Sequence, residues 1–402
     1  MDQANILIIG GGIVGCAIAV ELSRHWPDVF LLEQYPRLGM GTSTRNSGVI
    51  HSGIYYPRNS LKARHCLEGN RLSFEFCEKH NVAHRRTGKL VVAGDSAEEA
   101  ALAALKNRGE ANGVEGLRLI GPAEIRAREP HVAGVAALDV PSTGIVSAEE
   151  LVRAYARIAV SQGANIVTHA RVVSLAADKN SVRVGAHIGD MPGSQAEIAS
   201  NQAARWDPQT DRSSETVANE VGEEEIEARC VINSAGLYAD DIAALLGNRS
   251  WKIYPVRGEY CEVRGAKSSL INGLVYPLPH ADGLSLGMHF TKTLWGTTLI
   301  GPTAKYVEGK ENYERDRLPV SYFLPGARHL LPELDETDLH LAYSGLRPKL
   351  VPPTEHGIAD FVITRDPQAS NVIHLAGIES PGLTAAPSIA RHVRELVSEV
   401  LA

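Results

Sequence analysis

The chain has 402 residues, 44% of them hydrophobic and 22% charged, with a net charge of −7, which excludes a disordered or fibrous protein and predicts about two globular domains. No long basic run points to nucleic acid as a partner. Five scattered cysteines without a C-x-x-C pair predict reduced thiols in a cytoplasmic setting and no metal site. No apolar stretch approaches the roughly 20 residues of a membrane span, and the first residues lack the charged and apolar regions of a signal peptide. Both are compatible with peripheral membrane contact.

Residues 5–9 form a short apolar run, as expected of a strand buried on both faces. Gly10-Gly11-Gly12 breaks it, residues 13–25 read as a helix, and Val29–Leu32 is a second buried strand ending at Glu33. This is βαβ wiring, which implies a parallel sheet. Further helices are predicted at Leu61–His80, 97–112 and 149–162, and strands at 165–169, 171–175 and 231–233. A β-rich region runs from about 254 to 350, followed by a strand at 372–375 and a helix over 388–400. Residues 189–227 are polar and poor in large apolar side chains, which predicts a surface hairpin or a partly disordered insertion.

Gly10-x-Gly12-x-x-Gly15 follows a strand and opens a helix. Gly10 permits the tight turn, Gly12 lets backbone approach a pyrophosphate, and Gly15 lets helix and strand pack closely. The helix start favours phosphate charge. Glu33 lies eighteen residues past Gly15, where a carboxylate accepts bonds from ribose hydroxyls and disfavours a 2′-phosphate. Three features favour FAD over NAD. The loop Gly41-Thr42-Ser43-Thr44-Arg45-Asn46-Ser47 offers short hydroxyl and amide groups to pyrophosphate and ribityl oxygens. Val231-Ile232-Asn233-Ser234-Ala235-Gly236 is a strand ending in small residues. The turn Gly377-Ile378-Glu379-Ser380-Pro381-Gly382-Leu383-Thr384 opens the last helix, whose N–H groups suit the flavin N1–C2=O edge.

With these pieces in order, the sequence resembles the D-amino-acid-oxidase-like superfamily of FAD oxidoreductases, and within it the L-2-hydroxyglutarate dehydrogenase/oxidase group. The segments that carry the resemblance are residues 45–56, Ser60-Leu61-Lys62-Ala63, residues 254–260, Gly287-Met288-His289-Phe290-Thr291, residues 344–349 and residues 379–384. The polar insertion departs from that pattern. The resemblance implies an α/β fold with a Rossmann-type FAD-binding domain and an interleaved antiparallel β-sheet substrate domain. The expected FAD domain covers 1–80, 145–250 and 351–402, and the substrate domain 81–144 and 251–350. The expected FAD-contacting residues are Gly10, Gly12, Ile13, Val14, Gly15, Glu33 and Gln34 of the first unit. To these are added Thr42, Ser43, Arg45, Asn46 and Ser47, then Val173, Ala235, Gly236 and Gly345. Gly377, Ser380, Gly382, Leu383 and Thr384 complete the set.

Oxidising a 2-hydroxy acid requires a held carboxylate, a departing hydroxyl proton and a C2 hydride facing flavin N5. Arg347 is the expected carboxylate clamp, since its guanidinium fork matches a carboxylate; pairing with a structural acid is the competing reading. His51 and His289 are the candidate proton acceptors. Arg257 and Tyr260 are further candidates, but residues three apart on a strand face opposite sides, so one of them packs structurally unless a bulge at Gly258 intervenes. Lys62 and Arg64 would meet a second carboxylate in a diacid, against the alternative of a solvated helix face.

The expected reaction is oxidation of a small carboxylate substrate, L-2-hydroxyglutarate, with electrons leaving to a quinone, oxygen or an electron-transfer protein. The rivals are an amine or amino-acid oxidase of glycine or sarcosine type, a glycerol-3-phosphate-type dehydrogenase, and a flavin electron-relay subunit of a larger complex.

Overall fold

A computed structural model describes residues 2–189, 206–207, 212–213, 222–279 and 286–402. The chain divides into two compact units, Met1–Thr44, Ala148–Ile253 and Phe361–Ala402 forming the first and Arg45–Ser147 and Tyr254–Asp360 the second. This corrects the expected boundaries chiefly at residues 45–80, which belong with the second unit. The cause is bonding to distant parts of the chain. The helix Leu61–His80 starts where the Asp360 carboxylate accepts the N–H groups of Leu61 and Lys62 at 2.7 and 2.9 Å. Further along it, the Asn70 amide donates to the carbonyls of His51 and Ser142. Ser60 caps that helix by accepting the Ala63 N–H, and Asn81 ends it in the left-handed region at φ 54°.

In the first unit, five parallel strands lie in the spatial order Val372–Ala376, Gly222–Asn233, Asp2–Ile9, Val29–Leu32 and Asn165–Val167. An antiparallel strand, Val362–Arg365, borders them, and the hairpin of Ala170–Ala177 with Val182–Ile188 pairs antiparallel with Gly222–Asn233. Ile6, Leu7 and Ile8 are fully buried, as strands covered on both faces must be. The helix Ile13–Ser23 is buried from Ile13 through Leu22, because it packs between the helices Ala148–Ser161 and Gly382–Leu401. That last helix starts six residues earlier than the sequence pattern indicates and holds Pro387 within it. Of the polar segment 189–227, residues 190–205, 208–211 and 214–221 lie outside the described residues, while residues 222–227 open the long strand Gly222–Asn233.

The second unit is built on a nine-stranded sheet, antiparallel except where Leu274–Pro277 runs parallel to Lys89–Ala93. Strand alternation sorts its side chains into two sets. Leu90, Val92, Val275, Phe290 and Ile300 join one apolar core with Leu330 and Leu334. Val91, Ala93, Leu274 and Tyr276 join another with Ile54, Tyr55 and Leu105. Lys89 and His289, two residues from Val91 and one from Phe290, therefore fall on the second face.

Candidate active site

The first unit carries the dinucleotide cradle. Gly10 has φ +103°, and a Cβ there would stand 2.7 Å from the Ser234 carbonyl oxygen. A Cβ on Gly15 would stand 2.0 Å from the Gly10 carbonyl oxygen, so strand, turn and helix approach more closely than any side chain allows. Gly12 caps the helix with extended backbone and no side-chain bond. Ser43 Oγ accepts the Ile13 N–H at 2.8 Å, and Val14 and Gly15 stand in the first turn, where helix amides have no intrahelical partner and suit a phosphate.

Glu33 does more here than face a ribose. Its two carboxylate oxygens accept the N–H groups of Gly11 at 2.7 Å and Tyr35 at 2.9 Å, and the Gln34 amide also bonds it. Burial nevertheless raises its pKa to about 7. Ser234 Oγ donates to the Ile9 carbonyl at 2.9 Å, which places the small-residue turn through Ala235 and Gly236 against the glycine turn. Gly236 and Gly377 both have positive φ, 57° and 68°. Val173 sits at the bulge between Val172 and Ser174, a device that re-aims a side chain. In the closing turn Gly382 and Thr384 are buried, Leu383 is half-buried, and Ser380 is exposed. A cradle that a Cβ would fill, a helix start without a side-chain cap and a fixed acid at the second strand end all fit the adenosine and pyrophosphate part of FAD.

The second unit carries the polar cluster. Tyr254–Val263 pairs antiparallel with Leu339–Lys349, setting Val256 opposite Arg347 and Gly258 opposite Gly345. Alternation then puts Arg347 and Tyr260 on one face and Arg257 on the other. Tyr260 is buried, its oxygen bonded by the side chain and backbone of Ser47, and its ring packs on Tyr343 at 4.9 Å. Tyr343 in turn donates to the Asn46 carbonyl at 2.8 Å. Gly258 makes room for Arg347, since a Cβ there would lie 2.7 Å from Nη2. Gly345 admits the Arg45 carbonyl, 2.0 Å from where its Cβ would be, and the Arg45 guanidinium lies 4.2 Å over the Tyr313 ring. Arg347 donates from Nη1 to the Thr303 carbonyl at 3.1 Å, and among the described residues no carboxylate pairs with it.

Arg257 leaves the candidate set. It is fully buried, with Nε and Nη2 on Glu259 and the remaining donors on the carbonyls or side chains of Asn312, Arg315 and Asp316. No donor is left for a substrate, so the residue ties the strand to the 312–316 loop. The irregularity in strand pairing falls between Glu259 and Cys261, not at Gly258. The solvated-face alternative for Lys62 and Arg64 also splits: Arg64 is exposed, whereas Lys62 is 2% exposed.

His289 is buried, and its Nδ1 lies 2.9 Å from the Gly287 carbonyl. A carbonyl only accepts, so Nδ1 carries the proton and Nε2 keeps its lone pair. Its ring stacks on Tyr276, centroids 3.7 Å apart and planes 14° apart. His51 is half-buried. Burial lowers the pKa of both histidines to about 3, helped by the positive charge of Lys89. Sequence reasoning missed Lys89, Tyr55 and Tyr276. The available signal was a lysine in register with Val91 and Ala93, on the buried side of an otherwise apolar strand.

A Rossmann-type unit with a glycine-turn cradle, and a second unit that carries His51, His289, Tyr260 and Arg347, define a flavin-dependent oxidoreductase. The chain belongs to the family of FAD dependent oxidoreductases, whose profile matches residues 5–396. It is 32% identical to the mitochondrial L-2-hydroxyglutarate dehydrogenase of Arabidopsis thaliana over 98% of this chain and 83% of that one. It is 30% identical to the L-2-hydroxyglutarate dehydrogenase of Escherichia coli K12, over 99% and 94%. Among solved structures, L-alpha-glycerophosphate oxidase from Mycoplasma pneumoniae with FAD bound superposes with a TM-score of 0.80 at 26% identity, covering 99% of this chain and 95% of that one. Glycine oxidase from Geobacillus kaustophilus shares the fold at a TM-score of 0.75 and 22% identity, covering 99% and 95%.

Proposed function

We propose that this FAD-dependent oxidoreductase oxidises L-2-hydroxyglutarate to 2-oxoglutarate. The observation that carries the reading is Arg347, a guanidinium with one bond to a backbone carbonyl and no carboxylate partner among the described residues, on the sheet face that also bears Tyr260. Such a fork suits a substrate carboxylate held by two bonds. The relatives named for L-2-hydroxyglutarate support the choice of hydroxy acid.

Arg347 binds the carboxylate beside the hydroxyl carbon, and Tyr260, held by Ser47, orients it. The histidine pair takes the hydroxyl proton; neutral His289 has its tautomer set for this at Nε2 by Gly287. FAD, when bound, supplies the two-electron acceptor. Residues of the glycine turn, Ser43, Glu33 and the turn through Gly236 are the ones that would hold its adenosine and pyrophosphate. The loop Arg45-Asn46-Ser47 and the turn through Thr384 are proposed for the remainder. Electrons pass on to a quinone, oxygen or an electron-transfer protein.

The test is a substrate panel under steady-state turnover with an artificial electron-accepting dye. L-2-hydroxyglutarate should give the highest kcat/KM against its D enantiomer, glycine, sarcosine and glycerol 3-phosphate. Preference for an amine or for glycerol 3-phosphate would overturn the assignment.

A further inference from the structure

Lys89 is fully buried in the strand Lys89–Ala93. Its Nζ donates to the Tyr55 hydroxyl at 3.1 Å and lies over two aromatic rings, 4.3 Å from the centroid of Tyr55 and 4.7 Å from that of Tyr276. Among the described residues, no carboxylate forms an ion pair with it. An isolated buried ammonium is a costly feature that packing alone does not explain, since an apolar side chain of the same length would fill the space. Its aromatic cage lies directly against one proposed proton acceptor, because the Tyr276 ring that lines the cage stacks on His289.

We infer that Lys89 is a positioning residue whose charge, held between Tyr55 and Tyr276, reinforces burial in keeping the His51 and His289 imidazoles neutral and therefore able to accept the substrate proton. The inference rests on the proposed role of the histidine pair. The titratable groups facing Lys89 are Tyr55 and His51 from the 49–56 segment, Cys66 from the helix Leu61–His80, Tyr276 from its neighbouring strand, and His289 beyond it. Arg347 acts on His289 from its own strand with the same sign. None of these groups is an acid that is ionised at neutral pH, so nothing in the cage cancels the Lys89 charge. Burial brings the Lys89 pKa down to about 7, so the charge is full below neutrality, where an imidazole would otherwise take up a proton.

The test compares the holoenzyme with its Lys89→Met and Lys89→Arg variants. The ring nitrogens of ¹⁵N-histidine-labelled protein are followed by NMR across pH, alongside the pH profile of kcat/KM. In wild type the two imidazoles should stay neutral to about pH 5. In Lys89→Met their midpoints, and the acid limb of the profile, should rise by about one pH unit or more, while Lys89→Arg restores the wild-type midpoints. Coincident midpoints in wild type and Lys89→Met would overturn the inference. Should Lys89→Met not fold, Lys89→Gln serves the same comparison. Replacing His51 and His289 separately isolates the underlying reading: if neither variant loses turnover, the histidine role itself fails, whatever Lys89 does to their protonation.

Discussion

The Tyr276 ring lies flat against the His289 imidazole, 3.7 Å between centroids, while the other contacts of that imidazole are set by the Gly287 carbonyl. The pairing holds a neutral histidine in one tautomer and one orientation, which a general base requires. Substituting the acceptor should lower flavin reduction by roughly 10²- to 10⁴-fold. His289→Asn and His51→Asn, each examined by rapid mixing with FAD content measured in parallel, identify which ring takes the proton. A variant that keeps its yellow colour but is slow to reduce carries the role.

The low histidine pKa values have a consequence for stability. Unfolded, both rings titrate near 6.5; folded, each does so at about 3. Between those values the unfolded chain binds protons that the folded chain does not. Their contribution to stability is therefore complete above pH 6.5 and declines as the pH falls toward 3. Thermal unfolding of His289→Gln should fall less steeply between pH 6.5 and 4.5 than that of wild type; equal slopes would contradict the burial of a neutral His289.

Arg347 and Gly258 act together at the clamp. Arg347→Ala should lower kcat/KM by about 2–5 kcal/mol, roughly 30- to 4000-fold, with FAD retained. Gly258→Ala places a Cβ 2.7 Å from Arg347 Nη2 and should displace the guanidinium, raising KM more than it lowers kcat. Loss of bound FAD from Arg347→Ala would instead make the residue structural.

Arg257 gives the opposite pattern. Arg257→Met leaves Glu259, itself 0% exposed, without its main partner, although Arg317 also approaches it at 3.4 Å. Breaking a buried pair on one side should destabilise the fold by about 3–5 kcal/mol. Denaturant melts should show that loss, while molecules still folded at low temperature keep a near-normal KM.

Glu33 is the corresponding residue of the cradle. Glu33→Ala removes the acceptor for the Gly11 and Tyr35 amides and should weaken FAD binding by about 1–3 kcal/mol, roughly 5- to 150-fold. Ultrafiltration and flavin fluorescence measure it. Glu33→Gln keeps an acceptor oxygen and should lose less.

Much of the first unit was legible in the sequence because its signals are local. The glycine spacing, the strand Val29–Leu32 and the acid at Glu33 all lie within one βαβ unit. The helix Leu61–His80 was equally plain, with Ser60 and Asn81 at its ends. Residues 45–80 read from sequence as continuous with the first unit, because the bonds that place them with the second, to Asp360 and Ser142, come from distant parts of the chain. Tyr260 and Arg257 could be narrowed to one by strand alternation, but which of them faced Arg347 depended on the register with Leu339–Lys349. Lys89 leaves only the faint signal of its register with Val91 and Ala93, for a related reason. A lysine opening an apolar strand reads as a solvated end until Tyr55 and Tyr276, about 35 and nearly 190 residues away in sequence, close over it. The last helix reads from sequence as starting only at Ser388 because Pro387 sits inside it, where sequence convention places a helix boundary.

The most direct test of the central claim is anaerobic mixing of the oxidised holoenzyme with L-2-hydroxyglutarate, following flavin absorbance and assaying product. Complete bleaching at millimolar substrate, with one equivalent of 2-oxoglutarate per flavin and no bleaching by the D enantiomer, is the predicted result. A flavin that stays oxidised with the L enantiomer, yet bleaches with glycine, sarcosine or glycerol 3-phosphate, would contradict it.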